Sequence, residues 1–110
     1  MNALVLNAGL KLAMEFGEDW LAPIQSRLAK LHPELTPAEL DEYDAACRKA
    51  MNFGHEQVAD CLRQAAGSQA EARRRFEDLV RSQFDWLDDA NLAHLFSQGC
   101  YYAWKNGEMP

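Results

Sequence analysis

One long helix is predicted by residues 36–67, which read TPAELDEYDAACRKAMNFGHEQVADCLRQAAG. The segment opens with Thr36-Pro37-Ala38-Glu39, which combines a capping hydroxyl, a proline at the first helical position and a glutamate three residues after the cap. Residues at steps of three or four then follow the pattern of a buried seam in a helical bundle. These residues are Leu40, Tyr43, Cys47, Met51, Gly54, Val58, Cys61 or Leu62, and Ala65. The helix is predicted to end near Gly67, and a bend or break is most favoured at Asn52-Phe53-Gly54 because glycine weakens a helix.

Two further helices are predicted before this one by their start and stop signals. The first runs from about Ala3 to Phe16 and stops at Gly17, and its apolar residues cover more than half of its circumference. Such a helix must be covered on two sides, so it is either central in the domain or shared with a second chain. The second begins after Asp19 and stops before Pro33. Its apolar stripe consists of Trp20, Ile24, Leu28 and Leu31.

Two more helices are predicted after the long one. Ser68-Gln69-Ala70-Glu71 is a second capping box and opens the fourth helix. The core face of this helix consists of Phe76, Leu79, Val80, Gln83 and Leu87. The last helix begins at Asp88 or Asp89, whose carboxylates suit a helix N-terminus, and runs towards Asn106 and Gly107. Its core face consists of Leu92, Leu95, Phe96, Gly99, Cys100 and Ala103.

These segments together predict an all-α fold, because no segment is typical of a strand and every connection is short. Short connections favour antiparallel packing of neighbouring helices. A chain of 110 residues is enough for one hydrophobic core but not for two. We therefore expect a single compact antiparallel bundle of four to five helices that spans residues 1–110.

The charge balance argues against binding to nucleic acid. Eleven Lys and Arg residues stand against 17 Asp and Glu residues, and the resulting net charge of −6 repels phosphate backbones. The one basic run, Arg73-Arg74-Arg75, has acidic residues three or four positions away, so we interpret it as a salt-bridged solvent face. Those acids are Glu71, Glu77 and Asp78. The acidic excess lies mainly on the long helix, which holds six acidic and three basic residues over residues 36–67.

The sequence also predicts a cytoplasmic protein without a membrane segment, metal or cofactor. The apolar N-terminal segment, residues 1–16, is interrupted by polar residues and lacks the basic start of a signal peptide. No histidine has the Glu-x-x-His or His-Glu-x-x-His spacing of a metal site. The cysteines are odd in number, fall on inferred core faces, and are interpreted as reduced thiols rather than catalytic nucleophiles. They are Cys47, Cys61 and Cys100.

A candidate binding surface lies on the last helix, opposite its predicted core face. This stripe consists of His94, Ser97, Tyr101 and Trp104, with Gln98 and Lys105 on its flanks. Tyrosine and tryptophan with polar tips are typical of protein interfaces, where each supplies a large contact area and one hydrogen bond. The same pattern arises when a helix is central and both of its faces are buried inside the domain. The sequence leaves these two interpretations open.

A second candidate site lies on the long helix at His55. This residue is placed at the boundary of the apolar seam, where its ring can reach water or a neighbouring helix, and Asn52 lies beside it. A polar pocket between the long helix and the last helix would combine these two residues with His94 and Tyr101. Boundary histidines more often pack or form hydrogen bonds without a further function, and that interpretation stays open too.

The functional expectation is a small interaction or regulatory module with no catalytic residues. It would self-associate or dock on another protein through the first helix and the surface formed by His94, Tyr101 and Trp104. The acidic long helix would steer it towards a basic partner. The alternative is a small-ligand-binding protein or an enzyme that uses the polar pocket at His55.

Overall fold

The computed structural model describes residues 1–108, of which 72% lie in five helices and none in a strand. The helices are α1 (Ala3–Ala13), α2 (Gln25–Leu31), α3 (Pro37–Gln64), α4 (Gln69–Gln83) and α5 (Asp89–Lys105). The all-α class and the number of helices predicted for the bundle are therefore confirmed. None of the helices in this part of the chain is long and apolar enough to cross a bilayer.

The chain divides into two compact units. The first unit comprises Met1–Met51, the second begins at Asn52, and α3 contributes residues to both. The expectation of one domain over residues 1–110 stays a prediction.

Helix α1, in the first unit, begins at the predicted residue but ends earlier. Asn2 caps the helix by accepting a hydrogen bond from the Leu4 backbone N–H at 2.8 Å. The helix ends at Ala13 rather than at Phe16, so the predicted end was wrong by three residues. Phe16 instead lies in the connection to α2 and packs on Trp20, with ring centroids 5.9 Å apart.

Helix α2 is shorter than predicted. It begins at Gln25 rather than after Asp19, so the predicted start was wrong. Leu21, in the segment expected to be helical, has a φ of +61°, which a right-handed helix does not contain. The backbone N–H of Ile24 donates to Oδ1 of Asp44 at 3.2 Å instead of to a preceding helical turn. Ile24 is nevertheless fully buried, as its place in the apolar stripe predicts.

Helix α3 begins with the predicted capping box. The backbone N–H of Glu39 donates to Oγ1 of Thr36 at 3.2 Å, and the backbone N–H of Thr36 donates to Oε1 of Glu39 at 2.9 Å. The predicted start is confirmed. The helix continues without interruption through Asn52-Phe53-Gly54, where the sequence favours a bend or break.

Helix α4 begins after Ser68, whose Oγ accepts from the backbone N–H of Glu71 at 3.3 Å. Its arginines form the predicted ion pairs, because Arg73 contacts Glu77 at 3.1 Å and Arg75 contacts Glu71 at 3.2 Å. Three of the predicted core residues are buried in this part of the chain. They are Phe76, Val80 and Leu87. Leu79 is half-buried and Gln83 is exposed, so the assignment of Gln83 to the core was wrong.

Helix α5 is capped by Asp88, which accepts from the backbone N–H of Asn91 at 2.8 Å. Most of the predicted core face is buried, and the residues are Leu92, Leu95, Phe96, Gly99 and Ala103. Cys100 is only half-buried.

Glycines bring α3 and α5 into close contact within the second unit. A Cβ atom on Gly54 of α3 would lie 2.5 Å from Cδ2 of Leu95, and a Cβ atom on Gly99 of α5 would lie 3.2 Å from Cβ of Val58. Each glycine thus makes room for a branched side chain of the other helix. This contact places His55, which follows Gly54, beside α5.

Candidate functional site

The outer face of α5, defined as His94, Ser97, Tyr101 and Trp104, is exposed along its whole length. Trp104 has 68% and Tyr101 has 42% of its surface exposed. Their ring centroids are 6.3 Å apart, and the Tyr102 ring lies 5.5 Å from that of Tyr101. The aromatic end of the helix is therefore a continuous surface rather than two isolated side chains.

A cleft lies beside this face, between α4 and α5. Its volume is about 430 Å³, and it is lined by Gln69, Ala70, Arg73, Ala93, Phe96, Ser97 and Cys100. Burial raises the pKa of the Cys100 thiol, while a hydrogen bond with the Gln69 side chain acts in the opposite direction. The cleft therefore contains a protonated thiol at neutral pH rather than an activated nucleophile.

The second candidate site is built on His55, which is half-buried on α3. Its Nε2 lies 2.8 Å from Oε1 of Gln98 on α5, and its ring centroid lies 4.7 Å from that of Tyr102. Only 3% of Gln98 is exposed. The placement of Gln98 on the flank of the outer stripe was therefore wrong, because a turn of about 100° from Ser97 carries the next side chain towards α3.

The contact with Gln98 determines which nitrogen of the His55 imidazole carries the proton. An amide oxygen is only an acceptor, so Nε2 of His55 is the protonated nitrogen and donates. Burial lowers the pKa of His55 below its ordinary value of 6.5, and the hydrogen bond with Gln98 opposes part of that effect. At neutral pH the ring is uncharged, and Nδ1 is the nitrogen with a lone pair.

A cleft of about 330 Å³ opens beside this ring. It is lined by His55, Glu56, Ala59, Tyr102, Ala103, Asn106 and Glu108. The neighbours of His55 in this cleft differ from those that the sequence suggests for a pocket at this residue. Asn52 is exposed on α3, and neither it nor His94 or Tyr101 lines the cleft.

The residues that α5 and its C-cap contribute here share a regular spacing in the sequence that the predicted candidate sites did not include. Gln98, Tyr102 and Asn106 follow one another at steps of four, which places them on one side of a helix. That side lies next to the core face and faces α3. The spacing does not indicate which helix packs against this side of α5. His55 therefore could not be identified as a neighbour from the sequence.

The buried cysteines contribute no reactive group. Burial and the neighbouring Asp44 carboxylate raise the pKa of Cys47 to about 12, and burial raises the pKa of Cys61 as well. Both are free thiols on the core, as predicted. Among residues 1–108, no group of three or more His, Cys, Asp or Glu side chains is arranged to hold a metal ion.

No protein-family model matches this chain, and neither a curated protein nor a solved structure does.

Proposed function

We propose that this protein is a small interaction module that self-associates through the outer face of α5. The observation that carries the proposal is the exposure of Trp104, 68% of which is open to solvent next to Tyr101. Burial of a large apolar side chain contributes about 1.5–3 kcal/mol, so two aromatic rings per chain are a substantial driving force for association. Tryptophan and tyrosine are also the residues that most often dominate binding energy at interfaces.

The spacing of the face favours a second copy of the same chain as the partner. The steps of three, four and three from His94 to Trp104 are those of a coiled-coil seam. They are symmetric about the level of residue 99, so a two-fold axis at that level would pair the face with itself in antiparallel orientation. Trp104 would then lie opposite His94 of the second copy, and Tyr101 would lie opposite Ser97.

The absence of acidic side chains from the outer face of α5 is consistent with a second copy of the chain as the partner. Two copies that each carry a net charge of −6 repel one another at long range, and a docking surface without acidic side chains adds nothing to that repulsion. Ser97, Tyr101 and Trp104 form such a surface. One helical face is small compared with the roughly 1,000 Å² that a stable complex buries, so we expect weak and reversible association.

The test is the solution mass by light scattering and sedimentation over a wide concentration range. The wild-type mass should rise with concentration, and Trp104→Ala should weaken association about tenfold or more while the helical content by circular dichroism is unchanged. The matched control is Leu4→Ala, which removes a side chain that is 78% exposed on α1. It should leave the association unchanged.

Three outcomes would overturn the proposal. The first is a wild-type chain that stays monomeric up to about millimolar concentration, which would limit any association to less than about 4 kcal/mol. The second is a loss of association in Leu4→Ala but not in Trp104→Ala, which would assign the contact to α1. The third is self-association that weakens as salt is added, because salt screens the repulsion between like-charged copies and should strengthen their association. Binding to a basic partner would weaken with salt instead.

A further inference from the structure

We propose that the cleft between α3 and α5, beside His55, binds a small organic cation that carries N–H donors, such as an alkylammonium or guanidinium compound. The proposal concerns a different side of α5 from the outer face, and it stands or falls independently of self-association. The cleft combines hydrogen-bond acceptors, two carboxylates, an aromatic ring and small apolar side chains.

The hydrogen-bonding groups of the cleft are mainly acceptors. Because Nε2 of His55 donates to Gln98, the ring can offer only Nδ1 to a ligand, and it offers it as an acceptor. Glu56 and Glu108 line the cleft with carboxylates, and Asn106 adds an amide oxygen. None of the seven residues that line the cleft is a lysine or an arginine. An anion would find no cationic partner among these lining residues, whereas an ammonium group finds two carboxylates.

The remaining surface suits the hydrocarbon part of such a ligand. Ala59 and Ala103 form small apolar walls on the two helices, and the Tyr102 ring adds an aromatic surface. Aromatic rings attract ammonium and guanidinium groups through the negative potential of their faces. A volume of about 330 Å³ is at the lower end of ligand pockets, which favours a compound of few carbon atoms.

The arrangement is more than a group of acidic side chains on a surface. Gln98, with 3% of its surface exposed, is a buried amide whose Oε1 holds the His55 ring in place at 2.8 Å. The Tyr102 ring supports the imidazole at 4.7 Å. These contacts fix both the orientation of the imidazole and the nitrogen that carries its proton, so Gln98 is a positioning residue for the site.

The experiment is a titration of ¹³C,¹⁵N-labelled protein with n-butylammonium chloride at constant ionic strength, followed by NMR. The methyl signals of Ala59 and Ala103 and the ring signals of His55 should shift in a saturable manner. Two probes with four carbon atoms each control for charge: n-butanol is neutral, and n-butyrate is anionic. Neither should saturate these signals at the same concentrations.

A pair of variants tests the role of charge within the cleft. Glu56→Gln removes a lining carboxylate from an exposed position on α3, and it should weaken binding of n-butylammonium about threefold or more. Glu42→Gln removes the same charge from another exposed position on α3, outside the cleft, and it should leave binding unchanged. Equal saturation by n-butanol, equal weakening by both variants, or the absence of saturable shifts would each overturn the proposal.

Discussion

A Cβ atom on Gly54 would lie 2.5 Å from Cδ2 and 2.6 Å from Cγ of Leu95, which is closer than side chains pack in proteins. Leu95 is fully buried, and its neighbours leave it little room to move. We therefore expect Gly54→Ala to lower the free energy of unfolding by about 1–3 kcal/mol. Alanine is the better helix former by about 1 kcal/mol, so a loss of stability would have to come from the contact with Leu95. Urea unfolding monitored by circular dichroism measures the change.

Leu95, the residue with which the added methyl group would clash, provides the control for this prediction. A Leu95→Ala background lacks the three atoms that lie closest to a Cβ on residue 54, and Gly54→Ala should then be neutral or stabilising. The two substitutions should thus be strongly non-additive. If Gly54→Ala cost the same free energy in both backgrounds, the close approach of the two residues would not be the cause.

Local signals in the sequence predicted the helix starts that depend on few residues. The capping box of Thr36 and Glu39 involves only atoms that are three residues apart, so its residue types are sufficient to define it. The same holds for the cap of α4 by Ser68 and the cap of α5 by Asp88. At these three places local preference and the fold agree.

Contacts between distant residues decided the features that the sequence did not predict. The periodic spacing of Trp20 and Ile24 suggests a helix, but Ile24 donates its backbone N–H to Asp44, which lies 20 residues further along the chain. Prediction of the candidate site from the sequence is limited in the same way. His55 could be selected as a boundary residue, whereas its contact with Gln98 depends on how two helices 43 residues apart meet. Nothing in either segment alone identifies the other.

The capping box at Thr36 leads to a second prediction. Thr36→Ala removes the side-chain acceptor for the Glu39 N–H and should destabilise the protein by about 1 kcal/mol. Ser26→Ala removes an exposed hydroxyl from the first turn of α2 and serves as the control, with an expected change within about 0.5 kcal/mol. Thermal and urea unfolding give both values. Equal stability of the two variants would show that the Thr36 cap does not contribute.

The burial of His55 predicts a dependence of stability on pH. Its folded-state pKa is lowered from the ordinary value of 6.5, mainly by burial, so the unfolded chain binds the proton more readily than the folded one. The stabilising contribution of the neutral ring is therefore complete above the unfolded pKa and is lost as the pH falls below it. Urea midpoints between about pH 7.5 and pH 5.5 should decrease for the wild-type chain.

Two histidine variants separate this effect from general acid destabilisation. In His55→Gln the urea midpoint should fall less over the same pH range, whatever the effect of the substitution on stability at neutral pH. His94→Gln removes an exposed imidazole from α5 and should leave the decrease in place. A decrease that survives in His55→Gln would assign the pH dependence to other groups.

Thiol reactivity provides a site-specific test of the core of the first unit. Cys47 is fully buried, its Sγ donates to the backbone oxygen of Leu6 at 3.3 Å, and burial raises its pKa to about 12. Thiol reagents attack the thiolate, which is scarce at this position and inaccessible in the folded chain. At pH 8 we expect Cys47 to be modified at least about a hundredfold more slowly in the native protein than in urea.

The half-buried Cys100 supplies the internal comparison, since both residues meet the same reagent in the same sample. It should be modified first in the native chain, and mass spectrometry of proteolytic peptides assigns each modified residue. Once the protein is unfolded, both thiols lose their native environments and should react at similar rates. The modification rate of Cys47 in the native chain therefore measures how often the α1–α3 contact at Leu6 opens. A native Cys47 that reacts as fast as Cys100 would contradict the buried contact with Leu6.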